Sequence, residues 1–123
     1  MQLLLIGLGG AAGSVARYVV DGVIAERTAG AFPYGTLVVN VTGAFLLGLL
    51  FAAATERAIL PAELRIPLGI GFLGAYTTFS TLMLETWRLV EGGAWPAALV
   101  NLGASAGLGL VALVGGLILG RAI

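Results

Sequence analysis

The chain has 123 residues and no net charge, with six Arg balanced by six acidic residues; 59% of it is hydrophobic, 10% is charged, and its mean hydropathy is +1.08. So few polar groups cannot cover a water-soluble domain, and a neutral balance leaves no basic face for nucleic acid. With no Cys and no His, a disulfide framework, thiol chemistry and the commonest metal ligand are excluded, and no enzyme is expected.

A helix that crosses a bilayer needs about 20 mainly apolar residues. Four segments meet that length. The first is residues 2–20, with Arg17 near its end; its apolar start, MQLLLIGLGG, has no basic stretch before it and is expected to be a retained span. The second is residues 35–54. The third is residues 66–89, and the fourth lies inside residues 92–120, a stretch without any charge. Pro33, Pro61, Pro67 and Pro96 fall in or beside the connectors, as helix-boundary residues do. A single all-α membrane domain over residues 1–123, with both termini on one side, is the expected architecture.

The positive-inside rule gives no clear orientation. Arg57, Arg65 and Arg121 fall on one side; Arg27 and Arg88, with Arg17, fall on the other. Such balance suits a chain that inserts both ways, and it also suits chance in a small count. Small residues recur four apart at Gly9/Gly13, Ala44/Gly48, Gly103/Gly107 and Gly116/Gly120. In lipid, that spacing lets helices approach closely.

Polar groups inside a membrane are costly and are candidates for function. On the second span, Thr36 and Asn40 lie four apart on one face; on the fourth, Asn101 and Ser105 do the same. Thr42 adds a further hydroxyl. The third span carries the densest group, Thr77, Thr78, Ser80 and Thr81 around Phe79. Hydroxyls that bond to the backbone, consecutive β-branched residues and glycines at 69, 71 and 74 all weaken helix there. A break near residues 74–78 would expose carbonyls able to coordinate a cation. The hydroxyls could donate to an anion, and the ring edge of Phe79 is electropositive. A packing seam of Ser and Thr would account for the same run. Arg17 could snorkel to the interface or draw anions into a vestibule.

At these residues the chain resembles the Fluc/CrcB fluoride channels. The resemblance is carried by GTLVVN and TGAFLLG (35–48), by GFLGAYTTFST (71–81) with Glu85 four residues on, and by Gly10, Gly13 and Arg17. It spans the whole chain and implies a fluoride-selective passive channel in the cell membrane. That channel would be an antiparallel, dual-topology homodimer with two pores, surrounded by lipid, in which the third of four helices is broken. The resemblance further implies a structural Na⁺ at the dimer centre, held by backbone carbonyls of Gly74 and Thr77. It places Asn40 and Phe79 on the fluoride path and Arg17 and Thr36 toward the vestibule or pore. Ser80, Thr81 and Ser105 complete the expected pore set. The family's second Phe is Leu82 here, and Asn101 stands where an aromatic is often found. The competing reading is a small dual-topology, proton-coupled multidrug transporter, which would need a titratable acid within the membrane.

Overall fold

The structure, a computed structural model, describes residues 1–123. It is all helical. Helix α1 (Gln2–Arg27) is followed by α2 (Tyr34–Leu50), which continues as a π-helical stretch, Phe51–Glu56. Helix α3 (Ala62–Ile66) runs through a second π-helical stretch, Pro67–Leu73, into the short α4 (Gly74–Tyr76). Helices α5 (Phe79–Glu91) and α6 (Trp95–Ala122) complete the chain. Four runs are long and apolar enough to cross a membrane: Gln2–Arg27, Tyr34–Glu56, Ala62–Glu91 and Trp95–Ala122.

The second, third and fourth runs agree with the sequence expectation to within a few residues. The first is longer than expected, and Arg17 is not near its end: ten more helical residues follow it. Hydropathy falls where Asp21, Glu26 and Arg27 appear, but nothing there stops a helix. The stop comes at Thr28, whose backbone is extended and whose Oγ1 donates to the Ile24 carbonyl at 2.9 Å. Gly30, at φ +91°, then turns the chain toward α2.

Pro67 has no N–H to give to the helical ladder, and from Pro67 to Leu73 the winding widens to the π form. Against this stretch lies α1. A Cβ added at Gly13 would strike the Phe72 carbonyl, so only glycine permits that approach. A second close seam joins α2 to α6, where a Cβ at Gly116 would strike the Phe45 carbonyl. Gly9 and Gly48 serve the same two seams, whereas Gly103 and Gly107 have no neighbour within 4 Å. The spacing motif therefore marks two seams correctly, while its Gly103/Gly107 pair marks none within this chain.

The ends of α2 and α6 are tied together. Arg121 pairs with Glu56 through two bonds of 2.7 and 2.8 Å, and Arg57 donates to the carbonyls of Arg121 and Ile123. Along the spans much of the outer surface is apolar, with Leu3, Val15, Leu99, Val111 and Ile118 all exposed. That is the surface a lipid-facing bundle presents.

Candidate functional site

Between Tyr76 and Phe79 the third span leaves the helical conformation. Thr77 (φ −82°, ψ 156°) and Thr78 (φ −149°, ψ 116°) are both extended. Their polar groups are taken up in three ways. The Thr77 hydroxyl and N–H both donate to the Leu73 carbonyl, at 2.9 and 3.0 Å. The Thr78 hydroxyl caps α5 by accepting from the Thr81 N–H at 3.2 Å, and it donates to the Thr81 hydroxyl at 3.0 Å. The third partner is Asn40.

Asn40 projects from α2 and meets Thr78 with both ends of its carboxamide. Oδ1 accepts from the Thr78 N–H at 2.8 Å, and Nδ2 donates to the Thr78 carbonyl at 3.0 Å. This pairing is what a neighbouring strand would offer an extended residue. One amide hydrogen of Asn40 is left over, since an NH₂ group carries two donors.

A consequence follows for the carbonyls. In an unbroken helix the Thr78 N–H would bond to the Gly74 carbonyl and the Thr81 N–H to the Thr77 carbonyl. Here Asn40 Oδ1 takes the first donor and Thr78 Oγ1 takes the second. The carbonyls of Gly74 and Thr77 thus lose their helical donors. Neutral oxygens of this kind suit a hard monovalent or divalent cation. No group of three or more acidic, Cys or His residues offers a metal site.

Two cavities flank the extended pair. The larger is an open groove of about 620 Å³ between α2, the third span and α6. It brings together Asn40, Gly74, Thr77, Phe79 and Ser105, with Leu82 in its wall. Its lining contains no ionisable side chain. Phe79 is 74% exposed and stands at the groove's open side. Ser105 is buried, and its hydroxyl has no partner.

The smaller cavity, of about 310 Å³, is polar and lies against α1. It gathers Arg17, Thr36 and Thr81, with Asp21 and Ser14, and Thr78 lines both cavities. Arg17 makes no ion pair. The expected site residues therefore fall into two sets rather than one. Ser80 lines neither cavity; it is exposed, with its hydroxyl 3.5 Å from that of Thr78.

Sequence reasoning gave no chemical role to Glu85. Its Oε1 accepts from the buried Thr36 hydroxyl at 2.9 Å, while Oε2 is buried without a partner. It also overlooked the pair Thr86–Asn101, in which Asn101 Nδ2 donates to Thr86 Oγ1 at 2.9 Å. The usable signal was weak: two polar residues on facing helices, 15 apart, among apolar neighbours.

Four spans, an uncharged and largely apolar groove with a few polar groups, and carbonyls released at an extended pair define a multi-pass helical membrane protein. A family model described as "CrcB-like protein, Camphor Resistance (CrcB)" matches residues 4–117. The chain belongs to this family and is a multi-pass protein of the plasma membrane. It is 46% identical over 123 residues to the "Fluoride-specific ion channel FluC" of Magnetococcus marinus, covering 100% of both chains. It is 49% identical over 121 residues to the "Fluoride-specific ion channel FluC 1" of Symbiobacterium thermophilum, covering 98% of each. With the "Fluoride-specific ion channel FluC" of Solidesulfovibrio magneticus the identity is 47% over 122 residues, 99% of this chain and 98% of that one.

Proposed function

We propose that the chain is a fluoride-selective passive channel that lets cytoplasmic fluoride leave the cell. The observation that carries this reading is the groove. Its polar lining consists of a carboxamide, hydroxyls and an aromatic edge, and no formal charge stands in it. Fluoride is small and strongly hydrated, so a path must replace its water with donors. The spare Asn40 N–H, the unpartnered hydroxyl of Ser105 and the Phe79 edge are suited to that role. Conduction also needs sites weak enough to release the ion, which favours neutral donors over a buried Arg. The full-length likeness to channels named for fluoride supports the same ion.

Export needs no pump. Hydrogen fluoride crosses membranes as a neutral weak acid and dissociates inside. A negative-inside potential then favours exit of the anion by about 2.3 kcal/mol per 100 mV. Arg17, beside the smaller cavity, would draw anions toward the path.

The reading extends to assembly. An antiparallel, dual-topology homodimer with two pores would close the open side of the groove and cover Phe79. The balanced arginines support insertion in both orientations. The freed carbonyls of Gly74 and Thr77 fit a structural Na⁺, which would be held there with the same groups of the second copy. Such an ion would supply a fixed positive charge at the dimer centre. A proton-coupled multidrug carrier is disfavoured because no carboxylate lines the groove.

The test is efflux from liposomes holding the purified protein, read by fluoride and chloride electrodes, for wild type and Phe79→Ile. Fluoride efflux well above chloride efflux, strongly reduced in the variant with its melting temperature unchanged, is the expected result. Wild-type protein that melts cooperatively but passes chloride as readily as fluoride would sink the proposal.

A further inference from the structure

The extended pair in the third span is held at both ends by α2. Asn40 holds the far end through Thr78. The near end is held by a contact that the function described so far does not use. Tyr76 is the last residue of α4. It is buried, its ring stacks on Phe72 with centroids 6.0 Å apart, and its hydroxyl lies 2.9 Å from the hydroxyl of Thr42.

The direction of that bond can be worked out. Thr42 Oγ1 sits 2.7 Å from the Val38 carbonyl and 3.2 Å from the Val39 carbonyl, and both can only accept. The single Thr42 proton therefore goes to the α2 backbone. Thr42 must then accept from Tyr76, whose phenol is the donor. Gly43, the residue after Thr42, completes the contact: a Cβ there would collide with Thr77 Cγ2 and come within 3.2 Å of the Tyr76 ring. Residues 40, 42 and 43 of α2 thus meet residues 78, 76 and 77 of the third span in turn.

We propose that the Tyr76–Thr42 hydroxyl pair is a positioning latch for the extended segment. It fixes where α4 ends, and so the direction in which the Gly74 and Thr77 carbonyls face. Asn40 ties only the far end to α2; the bonds from Thr77 to Leu73 at the near end lie within the third span, so the Tyr76–Thr42 pair is the hydrogen bond that ties that end to α2. The role assigned to these carbonyls rests on the channel reading above; the latch itself rests on the contacts just given.

The experiment is residue-resolved amide hydrogen exchange in nanodiscs for wild type, Tyr76→Phe, Thr42→Val, the double variant and Thr42→Ser. The expected result is exchange at Thr77 and Thr78 roughly 2- to 10-fold faster in each of the first two variants, the size of one net hydrogen bond. The double variant should be no faster than either single one, and Thr42→Ser should match wild type. Amides of the α2–α6 seam should not change, which separates positioning from general destabilisation. In liposomes, the sodium concentration needed for half-maximal fluoride efflux should rise in Tyr76→Phe, with the maximal rate recovered at high sodium. Unchanged exchange at Thr77 and Thr78, or equal acceleration throughout the protein, would overturn the latch. Wild type that passes no fluoride would overturn the channel reading instead, and the exchange data would still decide the latch.

Discussion

Asn40 and Asn101 are both carboxamides placed among apolar residues on spanning helices, and the protein uses them in opposite ways. Asn40, half-buried, spends both ends on one backbone residue and stabilises an extended conformation there. Asn101, with 0% exposure, donates to one threonine hydroxyl, and its Oδ1 has no partner. The first is tied into the backbone of another element. The second is tied to a side chain that already has a partner of its own, since Thr86 donates to the Leu82 carbonyl at 2.7 Å. Burial depth therefore does not measure how much a polar group matters. What counts is how many otherwise unpaired groups depend on it.

Three substitutions test that difference. Asn40→Ala should have the largest effect. It strands the N–H and carbonyl of Thr78 together, and two orphaned groups cost about 3 kcal/mol or more. Thermal unfolding in detergent should show a marked fall in Tm, and fluoride efflux should be lost with it. Thr86→Val should come next. It keeps the shape of the side chain but leaves the Asn101 amide unpaired in a fully buried site, at a cost of about 2 kcal/mol by the same unfolding assay. Asn101→Leu should have the smallest effect, below about 1 kcal/mol, because a carboxamide with one empty end is exchanged for an apolar group of similar size. Adding Asn101→Leu to Thr86→Val should recover most of the second loss, as coupled neighbours do. If Asn101→Leu unfolds the protein as severely as Asn40→Ala, the contrast between the two residues is wrong.

Much of the architecture could be read from residue order. The four spans follow from runs of apolar residues; Pro33, Pro61 and Pro96 mark their starts, whereas Pro67 lies inside the third. The clearest difference is at α1. Hydropathy located where the hydrocarbon run fades, whereas the helix continues to Arg27 because backbone hydrogen bonding does not depend on hydropathy. For that reason Arg17 sits within a helix flank and lines a polar cavity with Asp21, rather than marking a helix end. Ser80 illustrates a different limit. Its place in the TTFST run suggested the same role as its neighbours, but the first turn of α5 carries it outward, away from both cavities.

Composition and order by themselves determined that this is a four-span helical membrane protein with its polar groups concentrated near residues 36–42, 77–81 and 101–105. These properties are local: each depends on a residue and its near neighbours in the chain. Tertiary structure alone decided which polar group answers which. Asn40 reaches Thr78 across 38 residues, Thr42 reaches Tyr76 across 34, and Thr36 reaches Glu85 across 49. A hydrogen bond depends on distance and direction between two particular atoms. Spans packed against one another through glycine seams set those distances, and residue order does not encode them in any local pattern.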